Sequence, residues 1–140
     1  MTDPIVVYVA GTPRPQPRPR FVNGRVLSTG SKIAKMYRAQ VRGECALVTF
    51  CQGVHHGPVD LNLELFFRTA DLKKVGTPHT SRPDGDNVLK LWQDCAEQAG
   101  LLPKGDAKVA KATVTKWWSA KAGAQMTIRP FEPQDDGEIA

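Results

Sequence analysis

Two aspartates lie two residues apart in a short segment that is rich in basic residues. Residues 82–90 run RPDGDNVLK, with Asp84 and Asp86 where a helix is predicted to begin. A third carboxylate, Asp106, follows at the predicted start of a strand. Carboxylate oxygens are the ligands that Mg²⁺ prefers, and a bound metal ion assists hydrolysis of phosphodiesters. The pattern therefore indicates a metal-dependent phosphodiesterase site.

Each of these residues also has a purely structural interpretation. An aspartate at a helix start often accepts hydrogen bonds from the first backbone N–H groups. Lys90 lies four residues after Asp86 and can form a weak ion pair on the helix surface. Asp84, however, is not needed for such a cap, and a turn does not require neighbouring basic residues. The combination therefore favours chemistry over capping.

The same motifs resemble a known family. The segments DGDN at 84–87, AGLL at 99–102 and DAKV at 106–109, together with Lys90, are similar in type and order to the signature of the RusA Holliday junction resolvases. These are small endonucleases often carried by phages and prophages. The basic, proline-rich segment 11–21 resembles the loop after the first strand in the phage members.

The resemblance implies a structure-selective endodeoxyribonuclease that resolves four-way DNA junctions by paired cuts. The implied cofactor is Mg²⁺, with Mn²⁺ as a substitute, and the implied assembly is a homodimer. Asp84, Asp86 and Asp106 are then the metal ligands. Lys90 is the fourth catalytic residue, which stabilises the transition state or orients the attacking water. Asn87 is expected to hydrogen-bond a carboxylate or a metal-bound water.

The distribution of charge points to a polyanionic partner. The net charge is +5, and residues 1–44 hold eight basic side chains against two acidic ones. Prolines alternate with arginines in the segment 13–20, which stiffens it and lowers the entropy cost of gripping a phosphate backbone. The basic residues of the predicted helix after it can equally form a solvated face. The expected DNA-binding residues are Arg14, Arg18, Arg20, Lys73, Lys74 and Arg82.

Two other functions remain open from the residues. A non-catalytic DNA-binding protein would use the same arginines without magnesium, and its acidic residues would act as helix caps. A nuclease for flaps, single strands or RNA would share the metal site but not the two-fold symmetry of a junction.

Length and composition are typical of one compact domain, with 140 residues and 41% hydrophobic side chains. We expect the domain over residues 1–131 and an acidic, disordered tail over residues 132–140. No apolar run approaches a membrane span, and the first residues do not resemble a secretory signal, so a cytoplasmic protein is expected. Three cysteines without a C-x-x-C pair do not favour a disulfide framework or a zinc site.

Alternating strand and helix patterns predict an α+β fold, with a mixed or antiparallel sheet and helices mainly on one face. The predicted strands cover 4–10, 58–68, 108–119 and 125–131, with a hairpin turn at Asn23-Gly24. The predicted helices cover residues 31–51 and 86–99, and Gly100 ends the second one. The last two strands are joined across residues 120–123, and Trp117 and Trp118 are expected in hairpin and core packing. The segment 69–83 has no periodic pattern and is predicted to be a functional loop that lies over the DNA.

Overall fold

The computed structural model describes residues 3–17, 20–27, 32–102 and 108–132. Its elements follow the chain in the order β1 (Ile5–Ala10), β2 (Arg20–Val22), β3 (Arg25–Leu27), α1 (Lys32–Gln52), β4 (Val59–Arg68), α2 (Gly85–Gln98), β5 (Val109–Ser119) and β6 (Gly123–Pro130). No helix among the described residues is long and apolar enough to cross a membrane. Of the expected acidic tail, residues 133–140 lie outside the described ranges.

The central sheet has four strands in the order β1-β6-β4-β5. Strands β4 and β5 are parallel neighbours, and α2 forms the crossover that joins them. Strand β6 runs antiparallel to both β4 and β1. Because α2 returns the chain along the sheet, its N-terminus lies at the end of the sheet where β4 finishes. This topology determines where Asp84 and Asp86 lie.

Both helices cover one face of this sheet. Along β4 every second residue, from Val59 to Phe67, is buried, as the alternating sequence predicts. The helices contribute buried side chains to the same core, among them Val41, Trp92 and Cys95. The indole N–H of Trp92 donates to the hydroxyl of Tyr37 over 3.1 Å, so these two buried polar groups are paired where α1 and α2 meet.

The second face of the sheet is not covered by a helix among the described residues. Val6 and Tyr8 of β1 are 40% and 50% exposed there. The side chains of Asn62 and Glu64 on β4 are half-buried beside their strand neighbours. One face is therefore apolar and packed, and the other is mixed and partly open.

The structure confirms the predicted α+β class, with its mixed sheet in a single domain. The hairpin turn is also confirmed, since Asn23 and Gly24 have φ values of 51° and 75° between β2 and β3. Gly100 directly follows the residue that caps α2 and has a φ of 80°, which suits a helix end.

The hairpin packing expected for the last two strands is wrong. Strands β5 and β6 are not neighbours, because β4 lies between them and pairs with both. The short connection over residues 120–122 therefore crosses the end of β4. A short link usually indicates a hairpin, but the right-handed βαβ crossover had already placed β5 beside β4. Trp118 accordingly packs on His79, in the segment 69–83, rather than on β6.

Candidate active site

The two aspartates lie at the N-terminus of α2, and both are exposed. Asp84 occupies the N-cap position with φ −68° and ψ 137°, yet its side chain makes no capping hydrogen bond. Asp86, which also suits a capping role by its sequence position, lies in the first turn, and its Oδ1 accepts from the backbone N–H of Asn87 over 3.0 Å. The Asp84 carboxylate is thus not used for capping.

The start of α2 packs directly against strand β5. Gly85 lies so close to this strand that a Cβ atom at this position would be 3.2 Å from Cγ1 of Val114. A methyl group here would push against a branched side chain that has little freedom. Gly85 therefore permits close contact between the helix start and the sheet, and Asp84 and Asp86 lie on either side of that contact.

A lysine on β5 holds the chain that leads into Asp84. The Lys116 ammonium donates to the carbonyl oxygen of Ser81 over 2.7 Å and to that of Pro83 over 2.9 Å. Hydrogen bonds from an ammonium group are stronger than those between neutral groups. The backbone immediately before Asp84 is consequently fixed to the sheet.

The segment 69–83, which the sequence predicts as a loop without regular structure, runs back along the outer edge of β5. The N–H of Gly76 donates to the carbonyl of Trp118, and the N–H of Trp118 donates to the carbonyl of Thr77, both over 2.9 Å. The N–H of His79 donates to the carbonyl of Lys116 over 3.0 Å. These bonds pair the edge of β5 at Lys116 and Trp118, near the end of the strand, and fix the path of the loop.

Aromatic stacking adds to this attachment. The His79 ring stacks on Phe67 with centroids 3.9 Å apart, and it meets the Trp118 ring at 4.4 Å. Burial lowers the pKa of His79 below its usual value, and the nearby Lys116 charge lowers this pKa further. Both effects favour the neutral form of the ring.

The proline-rich segment lies on the other side of Asp84. The N–H of Gln16 donates to the carbonyl of Asn87 over 3.4 Å. Together the two segments border a cavity of about 550 Å³. It is lined by Pro15, Arg82, Pro83, Asp84 and Asn87. One wall thus carries a carboxylate and a guanidinium beside the segment that is predicted to bind DNA.

The other expected DNA-binding residues lie in different surroundings. Arg14 is half-buried, close enough for its charge to act on Tyr37, whose pKa burial raises to about 12. Lys73 is exposed, whereas the Lys74 ammonium lies 5.6 Å from the centre of the Trp118 ring. Arg20 begins β2, and Arg18 lies outside the described residues.

Lys90 is exposed one turn into α2, and no ion pair with Asp86 is found in the part of the chain that the structure describes. Its ammonium is therefore not used in the surface pairing that the spacing permits. Residues one turn apart on a helix share a face. Lys90 thus projects from the same side of α2 as Asp86.

The third predicted carboxylate, Asp106, lies outside the described residues. Within the described ranges, no group of three or more His, Cys, Asp or Glu side chains lies close enough to hold a metal ion. The donors that are described do suit a hard cation, since Asp84 and Asp86 present exposed carboxylate oxygens. Two of the three expected ligands thus lie on either side of Gly85, at the start of α2.

Sequence reasoning missed Lys116 and His79. Lys116 lies in a strand whose half-buried pattern gives no sign that this lysine points under a helix start. His79 lies in a segment without periodicity. The partners of both residues are distant in sequence, so only the folded chain brings them to the site.

The site therefore combines exposed carboxylates with a neighbouring guanidinium on a small α+β domain. The chain matches the family model for the endodeoxyribonuclease RusA over residues 10–129. It belongs to the RusA endodeoxyribonuclease family, and as a member of that family it is an enzyme. Among curated proteins, a search found no match to the chain.

Proposed function

We propose that this chain is a magnesium-dependent endodeoxyribonuclease that resolves Holliday junctions by paired cuts. The observation that carries the proposal is the Asp84 carboxylate, which is exposed and makes no capping hydrogen bond. The chain also belongs to a family of endodeoxyribonucleases. A carboxylate at an N-cap position normally accepts from the backbone of its own helix. Here it is left available for a ligand.

Asp84, Asp86 and Asp106 are the proposed ligands of Mg²⁺, and Mn²⁺ is the proposed substitute. The metal, when bound, supplies a water molecule of lowered pKa and neutralises charge on the leaving 3′-oxygen. Asp84 and Asp86 are separated by a single glycine at a fixed helix start. Asn87 holds Asp86 through its backbone N–H, which limits the orientations of that carboxylate.

The cationic groups act on the phosphate. Lys90 shares a helix face with Asp86, where its ammonium stabilises the extra negative charge of the transition state or orients the attacking water. Arg82 lines the cavity beside Asp84 and binds the DNA backbone. The first N–H groups of α2 attract the same anion, because a helix N-terminus carries partial positive charge.

A homodimer completes the proposal. A four-way junction has approximate two-fold symmetry, and two copies related by a two-fold axis place two sites on strands of like polarity. Helix α1 supports this assembly, since four large apolar side chains on its outer surface are more than half exposed. These are Ile33, Met36, Leu47 and Phe50.

A cleavage assay on synthetic DNA tests the activity. The proposal predicts paired nicks in a four-way junction only when Mg²⁺ or Mn²⁺ is present. Binding without any metal-dependent cleavage would instead support a non-catalytic DNA-binding protein. Competition among junction, duplex, flap, single strand and RNA tests the substrate, and preferred cleavage of another substrate would contradict junction resolution.

Sedimentation tests the assembly. Leu47→Glu places a charge on the exposed apolar surface of α1 and is expected to convert dimers to monomers. Leu72→Glu is the matched control, because Leu72 is 83% exposed on a different surface. Dimers of unchanged stability in Leu47→Glu would show that α1 does not form the contact, and a monomeric wild type would contradict the dimer itself.

A further inference from the structure

Lys116 holds the backbone that carries Asp84, although it belongs to none of the motifs that define the site. The residue lies on β5, opposite Leu65 of β4, and its side chain points to the helix-covered face of the sheet. It is half-buried, and its aliphatic stem reaches the start of α2, with Cδ 3.9 Å from where a Gly85 Cβ would be. The ammonium then binds two carbonyl groups.

Those two carbonyls belong to Ser81 and Pro83, the residues on either side of Arg82. Pro83 has no N–H with which to make a backbone bond of its own. An ammonium has three donors, and two of them fix the three residues that immediately precede Asp84. Few side chains other than lysine combine the reach and the donors for this contact.

Asp84 itself gains no orientation from its own side chain. Its carboxylate makes no capping bond, so its position follows from the backbone alone. That backbone is fixed by Lys116 before the helix and by the contact of Gly85 with Val114 within it. Removal of the lysine would therefore release the segment 81–84 while leaving the core of the domain intact.

We propose that Lys116 is a positioning residue for the Asp84 and Asp86 carboxylates, an inference that rests on the nuclease function proposed above. It does not touch the DNA or the metal ion. It fixes the distance and angle between the two carboxylates through the carbonyls of Ser81 and Pro83. A displacement of about 1 Å in a catalytic group can reduce a rate by roughly 10²-fold.

Three variants test the proposal. Lys116→Met keeps much of the stem but removes every donor, whereas Lys116→Arg keeps charge and donors. Lys111→Met is the control, because Lys111 is an exposed lysine of the same strand whose register places it on the other face of the sheet. The measurements are single-turnover cleavage of a junction at saturating Mg²⁺, junction affinity, and amide hydrogen exchange of the metal-free protein.

We expect Lys116→Met to lower the cleavage rate at least 10-fold, with junction affinity within about twofold of the wild type. Exchange should accelerate at residues 79–88 and remain unchanged in β4. Lys116→Arg should recover part of the rate, and Lys111→Met should match the wild type. If Lys116→Met unfolds, Lys116→Gln takes its place, because glutamine is shorter and keeps one donor group. We then expect faster exchange at residues 79–88 and a cleavage rate below that of the wild type.

Wild-type rates and wild-type exchange in Lys116→Met would overturn the proposal. Faster exchange throughout the domain would also overturn it, since Lys116 would then serve global stability. An inactive wild type on every DNA tested would instead contradict the nuclease function. In that case the exchange data still decide whether Lys116 fixes the segment 81–84.

Discussion

The two segments that border Asp84 are attached to the domain in different ways. The segment 76–83 is bound to β5 by three backbone hydrogen bonds, by the Lys116 ammonium and by the stacked ring of His79. The segment 11–17 is held by Gly11, whose N–H donates to the carbonyl of Ala122, by the Gln16 hydrogen bond and by the buried Pro13. The first leads into the aspartates, and the second carries Arg14 and is followed in the sequence by Arg18 and Arg20.

This difference suggests a division of labour. Carboxylates that share a metal ion need fixed positions, because the ligand distances of a hard cation vary little. Arginines that neutralise the DNA backbone tolerate more variation, since much of their contribution comes from counterion release, which depends little on the exact geometry of each contact. Apart from Arg82, which is itself a proposed contact to the DNA backbone, we therefore expect changes in the segment fixed to β5 to alter rate. Changes in the arginine segment should alter affinity.

The largest effect is expected from the carboxylates. Asp84→Asn or Asp106→Asn should abolish detectable cleavage, because each removes a metal ligand, and junction binding should persist or improve as repulsion of the DNA falls. Gel-shift and nicking assays on the same preparations measure both quantities. Full nicking by both variants would refute the site.

The second largest effect is expected from substitution of Lys90. Lys90→Ala should reduce the single-turnover rate by about 10²-fold or more while affinity changes little, since one phosphate contact among many contributes a small part of binding. Lys90→Arg keeps the charge but alters length and shape, so a positioned group should tolerate it poorly. Near-identical rates in the three proteins would reduce Lys90 to a helix-surface residue.

The arginine segment should show the opposite behaviour. Replacing Arg14, Arg18 and Arg20 together by Ala should weaken binding to junction and duplex alike. The salt dependence of log K should flatten by about one unit for each phosphate that the variant no longer neutralises. The rate at saturating protein should remain close to that of the wild type. An unchanged salt slope would show that the segment does not touch the DNA backbone.

A smaller effect is expected where α2 meets β5. Gly85→Ala should reduce cleavage several-fold, because the added methyl group crowds Val114 and displaces the helix start. Adding Val114→Ala should restore the rate, because it creates the missing space. Thermal unfolding of each protein is the control. A double variant no faster than Gly85→Ala would show that crowding is not the cause.

The smallest effect concerns pH. Burial lowers the pKa of His79 in the folded protein, so protonation of this residue favours the unfolded chain. The contribution of neutral His79 to stability is therefore complete at pH values above about 6.5, which is its pKa in the unfolded chain. That contribution declines as the pH falls below 6.5 and through the lowered folded value. His79→Phe keeps the stack, so its melting temperature should fall less than that of the wild type between pH 7 and 5. His56→Phe, at an exposed histidine, should behave like the wild type.

Local sequence patterns are sufficient to predict much of this fold. The alternation along β4, the turn at Asn23-Gly24 and the glycine that ends α2 depend on neighbouring residues, so they could be predicted. Strand order could not, because a short link between β5 and β6 does not reveal that β4 lies between them. At the candidate site, the sequence was sufficient to predict that Asp84 and Asp86 lie together at a helix start. The hydrogen bond from Lys116 to Pro83 spans 33 positions and leaves no local pattern.

The central claim is that a divalent metal binds at the start of α2 through Asp84. Iron-directed backbone cleavage tests it directly: Fe²⁺ replaces Mg²⁺, and ascorbate with peroxide generates radicals that cut the chain near the metal. We expect cuts within residues 82–88 of the wild type, suppressed by excess Mg²⁺ and absent from Asp84→Asn. Cuts elsewhere in the chain, or cuts that persist in Asp84→Asn, would contradict the claim.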